Sequence, residues 1–460
     1  MDSLVELNNT VNSFVWGWPI IILIFGSGLY ASIRCGFPQF LNAGFLYRQT
    51  VGRAFAKAKA DKKEAAPGEI SSFQAAMISV SAIVGSGNIA GVATAVALGG
   101  PGALFWMWVA AFVGMASKFC EIALGIKYRE IHPDGSVSGG AMYYMAKGLG
   151  QKWLGVIFSI LVVIVYFVIS AIVDTNTMAL ALEERFGIAP LTSGIVFAIL
   201  TAPVIFGGIK RIGRVCEILS PFMAGAYILG GILIIVLNIT EVPAAIAEII
   251  KGAFTPAGVT GGAVGSMFIS IRYGLARGMF SNEAGMGTAA LVHSGARVSD
   301  PIEQAVWGPV EVFLDTILVC SISGLTIVLS GLWSGGELEG AALTMGAFDK
   351  LLPGNWGGLI CLGAVLFFGY SCLISCYAYA ERSAEYLFGA KSKLALRLLW
   401  IIFIVIGSRT TLGLVWDIAD TFNGIMIIPN LIAIILLCGQ VVKMKKDYFS
   451  KAMAEEKNSK

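Results

Sequence analysis

Apolar residues run through this chain in long blocks, not in the alternating or one-sided patterns of elements that face water. A helix that crosses a bilayer needs about 20 mostly apolar residues. That requirement predicts about eleven spans, at 14–33, 73–98, 102–127, 153–182, 191–206, 215–238, 262–291, 302–332, 356–387, 394–407 and 411–442. Between 241 and 258, the stretch 243–251 is too short and too charged to cross and is predicted to lie along the surface. Two spans are interrupted by small and polar residues. The first interruption reads Ser79-Val80-Ser81-Ala82-Ile83-Val84-Gly85-Ser86-Gly87-Asn88-Ile89-Ala90-Gly91, and the second Gly278-Met279-Phe280-Ser281-Asn282-Glu283-Ala284-Gly285-Met286-Gly287-Thr288. Hydrocarbon offers no water to an unwound backbone, so a break is tolerated only where it lines a polar cavity or is buried in protein. Such a pair points to a binding site.

Setting the first span aside leaves five spans before the 241–258 segment and five after it. Five is odd, so the second set enters the membrane with the opposite orientation, as an inverted repeat requires. Each interruption then falls in the first helix of its half. The repeat rests on topology alone, since the halves show no obvious residue-level identity. Lysine and arginine mark the cytoplasmic loops: Arg34, Arg48, Arg53, Lys57, Lys59, Lys62 and Lys63, then Arg129 and Lys147, then Lys210, Arg211 and Arg214, then Arg382, Lys391 and Lys393. This places the N-terminus outside and the tail with Lys443, Lys445 and Lys446 in the cytoplasm. The expected organisation is an extra N-terminal helix and basic loop (1–69), a first five-helix repeat (70–240), a surface connector (241–261), a second repeat (262–442) and a cytoplasmic tail (443–460).

Composition agrees with an all-α integral membrane protein: 57% of the 460 residues are hydrophobic, 13% are charged and the mean hydropathy is +0.79. A net charge of +3 argues against a nucleic-acid partner. Asp2 and Glu6 stand where a signal peptide would carry lysines, and no small-residue cleavage site follows, so the first span is read as retained. Eight cysteines without CxxC spacing, six of them within apolar runs, argue against a disulfide or zinc framework; two histidines, His132 and His293, leave little for a histidine-ligated metal. No GxxxxGK[ST] loop and no nucleophile–base constellation is present, which argues against an ATP-driven pump and against an enzyme.

Several runs carry a family resemblance: Gly87-Asn88-Ile89-Ala90-Gly91-Val92-Ala93, Gly99-Gly100-Pro101-Gly102-Ala103-Leu104-Phe105-Trp106-Met107-Trp108, Ala276-Arg277-Gly278-Met279-Phe280-Ser281-Asn282-Glu283-Ala284-Gly285 and Glu385-Tyr386-Leu387-Phe388-Gly389. From about 70 to 389, and by extension across the chain, the sequence resembles the alanine or glycine:cation symporter family. The resemblance implies a LeuT-type fold, with a ten-helix core of two inverted five-helix repeats and one extra N-terminal helix. It also implies sodium-coupled symport of alanine or glycine across the cell membrane. A proton-coupled symporter of the same fold is the alternative, with Asp174 or Glu283 as carrier. Oligomeric state is left open.

The physics of a zwitterion suggests which residues would serve. Its carboxylate suits the N–H groups and positive dipole end of the outer half-helix, at Ser86, Gly87 and Asn88; small-residue packing of Gly87 on a neighbour is the other reading. Its amine suits Ser281 and Asn282 at the second break, with Phe280 closing over the side chain. Phe167, Phe280, Met286 and Tyr370 are expected to crowd the ligand. Asp174 shares a helical face with Phe167 and Ser170, where related sequences often carry glutamine. It is read either as binding an amine or proton, or as pairing with Arg272 or Arg277. Glu283 is read as electrostatic, or as a structural partner of Arg277. The resemblance implies one sodium site from the Ile83 carbonyl, the Asn88 side chain and the substrate carboxylate. It implies a second from the carbonyls of Ser81 and Val84 with the hydroxyl of Ser371, or of Ser375 as substitute. The family pattern of two adjacent threonines is here Ser371 and Cys372, and a thiol is a poor sodium ligand. Asp417 and Asp420 are candidate gate partners for the arginines, against a solvated alternative.

Overall fold

Away from water every backbone polar group must find a partner inside its own segment, and helices do this without help from neighbours. The computed structural model describes residues 2–41, 43–50, 52, 69–133, 137–255, 265–336, 338–410 and 412–458. Helices dominate. Labelled in chain order, they are α1 (Asp2–Val15), α2 (Trp18–Arg34), α3 (Ser72–Ile83), α4 (Ala90–Gly99), α5 (Gly102–Lys127), α6 (Lys152–Phe186), α7 (Pro190–Phe206), α8 (Gly208–Leu237), α9 (Val242–Phe254), α10 (Gly265–Asn282), α11 (Ala289–His293), α12 (Pro301–Ser330), α13 (Gly340–Leu351), α14 (Trp356–Phe388), α15 (Lys393–Gly407) and α16 (Leu412–Asn458). One antiparallel pair, Glu130–Ile131 with Val137–Ser138, closes a loop. The basic residues Arg53, Lys57, Lys59, Lys62 and Lys63 lie outside the described residues.

Among the described residues seven helices are long and apolar enough to cross a membrane, and eight when the bent pair α3 and α4 counts as one span. That pair bends by 52°. α3 begins with a reciprocal cap, in which Gln74 N–H donates to Ser71 Oγ and Ser71 N–H to Gln74 Oε1.

Three features depart from the pattern read along the chain. Residues 2–15 form a helix that leads through a turn at Trp16 and Gly17 into α2, so the first apolar crossing runs from Val5 to Arg34. The segment expected as a cytoplasmic tail, to which the sequence pattern assigns no helix, continues α16 as helix to Asn458. Two spans contain π-helical stretches, Val163–Ile169 in α6 and Phe313–Cys320 in α12. A π turn advances each residue by less than an α turn does, so it rotates the side chains beyond it away from the 3.6-residue face.

α9 occupies the segment expected as a surface connector, and it is clamped to the core. Ala245, Ile249 and Ala253 are buried, and Trp106 Nε1 on α5 donates to the Ala253 carbonyl at 3.2 Å. Backbones meet here: a Cβ on Gly102 would stand 2.2 Å from the Gly252 carbonyl carbon. At another crossing Cys35, which caps the end of α2, lies 3.7 Å from Cys120 of α5 and 3.9 Å from Cys438 of α16, sulfur to sulfur. Residues 85 and 403 positions apart thereby join the extra helix to the core.

Gly102→Ala is expected to lower the stability of the purified protein by about 1–3 kcal/mol through overpacking against α9. Gly26→Ala, where a Cβ meets nothing within 4 Å, does not lower it. Thermal unfolding in detergent compares the two.

Candidate functional site

The two breaks meet around one cavity. After α3, residues Ser86–Asn88 form a single 3-10 turn before α4 resumes. Asn88 holds this turn from within: its Oδ1 accepts Gly85 N–H at 2.8 Å, and its Nδ2 donates to Ser281 Oγ at 3.0 Å and Asp315 Oδ1 at 2.6 Å. Asp315 is gripped again through Oδ2, by Ser281 Oγ at 2.9 Å and Thr316 Oγ1 at 2.8 Å. One carboxylate thus ties the first break to the second. It is carried by the π-helical stretch of α12, a feature frequent at functional sites.

α10 ends at Asn282, and the chain turns through left-handed backbone at Glu283 (φ 53°), Gly285 (φ 92°) and Gly287 (φ 83°). Several peptide groups freed from the helix there find buried partners. The Asn282 carbonyl accepts from Lys118 Nζ at 3.0 Å, and Asn282 Oδ1 accepts Ala284 N–H at 3.0 Å. Gly285 donates to Glu121 at 2.7 Å and accepts from Asn430 at 2.8 Å. Lys118 is fully buried and pairs with Glu311 at 3.3 Å, while His293 Nε2 stands 2.9 Å from the other Glu311 oxygen. Ser79 on α3 donates to the same carboxylate at 2.7 Å. The carboxylate of Glu283 is held by Tyr166 at 2.8 Å and Thr288 at 2.7 Å.

The cavity has a volume of about 50 Å³ and is lined by Ser86 and Gly87 of the first break, Phe280, Ser281 and Glu283 of the second, and Asp174 and Cys372 among others. Ser86 Oγ donates to Asp174 Oδ1 at 3.0 Å. Asp174 is 3% exposed, and its Oδ2 accepts no hydrogen bond among the described residues. A second cavity of about 600 Å³ opens as a vestibule bordered by α1, α4, α10 and α13. Between the two, Arg277 makes a bidentate pair with Asp420, at 2.8 and 2.7 Å, and its guanidinium lies 5.8 Å from the centre of the Phe280 ring.

The structure gathers Ser86, Gly87, Asp174, Phe280, Ser281, Ile83, Met286 and Glu283 around the cavity, with Asn88 directly behind. It places other expected residues elsewhere. Phe167 lies within the π-helical stretch of α6 and packs on Trp400 and Phe403; Tyr166 takes its place at the wall. The face shared by Phe167 and Asp174 assumed an unbroken 3.6-residue period, which the π turn removes. Tyr370 points away and donates to the Leu200 carbonyl at 3.0 Å. Asn282 spends its side chain on Ala284 and Thr316. Arg277 pairs with Asp420, and among the described residues no ion pair joins it to Asp174 or Glu283. Arg272 is exposed on the vestibule wall. Asp417 lies in α16, with its side chain outside the described residues.

Around the expected second ion site, Ser371 Oγ donates to the Phe368 carbonyl of its own helix at 3.0 Å and also lies 3.5 Å from the Ser81 carbonyl, while Ser375 donates to Ser371 in the same helix. Among the described residues no hydrogen bond joins the Val84 carbonyl to either hydroxyl, and the Ile83 carbonyl accepts Gly85 N–H at 3.1 Å. Four polar groups escaped the sequence reading: Lys118, Glu121, Glu311 and Asp315. Each is an ionisable residue inside a predicted span, and that alone was the signal.

With this geometry established, comparison with known proteins gives a consistent picture. The family model described as the sodium:alanine symporter family matches residues 1–460. The sodium/alanine symporter AgcS of Methanococcus maripaludis is 43% identical over 462 residues, covering 99% of each chain. The amino-acid carrier protein AlsT of Bacillus subtilis is 40% identical over 444 residues, covering 96% of this chain and 92% of its own. A crystal structure of MhsT in complex with L-phenylalanine shares the fold, with a TM-score of 0.57 at 14% identity over 83% of this chain and 99% of that one.

Asp420→Asn is expected to raise the rate at which a small maleimide modifies Cys372 and Cys376 about fivefold, because loss of a charge-assisted pair removes about 1 kcal/mol of closure. Mass spectrometry of timed alkylations reads the rate. An unchanged rate would mean that the pair does not separate vestibule from cavity.

Proposed function

We propose, for a chain that belongs to the sodium:alanine symporter family and is therefore a membrane transporter and not an enzyme, that it carries alanine or glycine into the cell together with sodium by alternating access. The observation that carries this reading is the convergence of two broken helices on one small cavity, whose largely apolar wall carries Ser86, Ser281, Asp174 and Glu283. A site between two inverted repeats can be exposed to either side by rocking one half against the other. The basic loops put the vestibule on the extracellular side, opposite the tail with Lys443, Lys445 and Lys446.

Size supports a small substrate. At about 10–15 Å³ of such volume per water, the cavity holds roughly three to five waters, about what a glycine or alanine displaces. The first turn of any helix leaves its leading N–H groups without intrahelical partners. In the first break Asn88 and Ile89 donate to Gly85 and Ser86, so the N–H groups of Ser86 and Gly87 are the ones offered to the substrate carboxylate. The amine is assigned to Asp174 Oδ2 and Ser281. Phe280 closes the cavity beneath Arg277.

For sodium, a hard ion that wants oxygens, the favoured ligands are the Asn88 side chain, the Asp315 carboxylate behind it, the Ile83 carbonyl and the substrate carboxylate. The Ser81 carbonyl with Ser371 supports a second ion site better than Ser375 does. An ion that shares Asn88 or the carboxylate with the substrate binds best when both are present, which is the differential affinity that coupling requires. One sodium moving down about 100 mV gains about 2.3 kcal/mol, and a tenfold gradient adds about 1.4 kcal/mol. Since a zwitterion has no net charge for the field to oppose, the sum supports roughly 500-fold accumulation.

Uptake of labelled alanine into proteoliposomes is expected to rise with sodium and to remain low after a pH step without sodium. The reverse result would favour the proton-coupled alternative through Asp174 or Glu283. Asn88→Ala is expected to weaken sodium and alanine together by about tenfold or more, since it removes a shared ligand. Gly87→Val is expected to abolish alanine binding in a folded protein, because a Cβ there stands 3.3 Å from the Phe280 ring. Isothermal titration with each ligand alone and with both measures these effects, and unchanged sodium binding by Asn88→Ala would sink the shared-ligand mechanism.

A further inference from the structure

Cys372 and Cys376 lie one turn apart on the cavity side of α14, with their sulfurs 3.5 Å apart. Asp174 reaches them from α6, and one carboxylate oxygen and both sulfurs lie within 4.8 Å of one another. Two ligands at i and i+4 on one helical face, joined by a third from a neighbouring helix, are an economical way to hold a metal. Two thiolates bound to zinc at about 2.3 Å in tetrahedral array stand roughly 3.8 Å apart, so these sulfurs need move little. Plain packing would account for two buried thiols. It does not account for Asp174 Oδ2, a carboxylate oxygen 97% shielded with its residue and without a hydrogen-bond partner among the described residues.

We propose that Asp174, Cys372 and Cys376 form a binding site for a divalent cation of the zinc class on the wall of the transport cavity, and that its occupancy excludes the amino acid. Two thiolates select a borderline or soft ion over sodium or magnesium, and the carboxylate favours a divalent ion over a monovalent copper. The fourth position faces the cavity and takes a water. Binding releases the two thiol protons to solvent, and no electron is transferred. The metal takes the carboxylate that the proposed substrate amine uses, so the two compete. Only this competition rests on the transport reading; the metal site itself rests on the side chains.

The test uses the full-length protein in detergent, with Cd2+ as probe and thiolate-to-cadmium charge-transfer absorbance and bound-metal stoichiometry as readouts. Cys372→Ser/Cys376→Ser is expected to lose one cadmium equivalent relative to the parent, whatever the Cys35, Cys120 and Cys438 cluster retains. Asp174→Asn is expected to weaken that equivalent by about tenfold or more. Should the double variant fail to fold, alkylation of the parent serves instead: Cd2+ is expected to slow modification of Cys372 and Cys376 about tenfold or more, judged by peptide mass spectrometry. An unchanged stoichiometry in a folded double variant, or equal alkylation rates with and without Cd2+, overturns the site. Displacement of the metal by saturating alanine supports the shared carboxylate. Loss of the equivalent in the variant without displacement by alanine keeps the metal site and removes Asp174 from the substrate reading.

Discussion

A peptide group stripped of its helical partner in the middle of a bilayer has no water to turn to, and leaving it bare costs several kcal/mol. The centre of this protein is organised around that constraint. Gly85 N–H is answered by Asn88, the Asn282 carbonyl by Lys118, and the two sides of Gly285 by Glu121 and Asn430. Lys118 and Glu121 sit one turn apart on α5, and they serve opposite kinds of orphan. The cation meets the carbonyl end of a half-helix, where the dipole is negative, and the carboxylate meets an N–H. Charges that look misplaced in an apolar span are therefore the condition for breaking the neighbouring one.

A buried cation needs its own answer, and this extends the network. Lys118 is balanced by Glu311, which also accepts from Ser79 on α3 and faces His293. Gln304 in turn meets His293 at 2.8 Å and reaches back to the Ser72 carbonyl. Both broken helices, α5 and α12 are thereby locked by one dry polar chain. Asp315 adds a second lock nearer the cavity. Because low dielectric strengthens each satisfied bond and penalises each missing one, the core of the site is rigid where the breaks are.

Much of this was legible in the sequence, and the limits have physical causes. The two breaks announced themselves because small and polar residues are conspicuous within apolar runs, and the helices indeed end at Ile83 and Asn282. Ser86, Gly87, Phe280 and Ser281 followed from position within the break. Phe167 did not, because a period of 3.6 cannot foresee a π turn. Tyr370 stands two residues before Cys372, which lines the cavity, and on a helix two residues are about 200° of rotation. Asp315 was passed over for lack of a motif, although its depth alone marks it. The meeting of Cys35, Cys120 and Cys438, or of Asp174 with Cys372, depends on which helices touch, and spacing along one chain does not carry that information.

Burial also separates the ion pairs that hold from the one that can open. Lys118 and Glu311 are wholly enclosed, and removing either partner would strand a charge at a cost of about 3–5 kcal/mol. Arg277 and Asp420 keep 15% and 16% of their side chains exposed at the edge of a wide vestibule. Water there can replace each partner, so the pair separates at modest cost. The same acid is tied at its backbone, where the Asp420 carbonyl accepts from Trp16 Nε1 at 3.0 Å, while Asn12 donates to Thr421 Oγ1 at 3.1 Å. Any motion that parts Asp420 from Arg277 by moving α16 must therefore carry the N-terminal helix with it or break these two bonds. The N-terminal helix α1 is in this sense mechanically coupled to that ion pair.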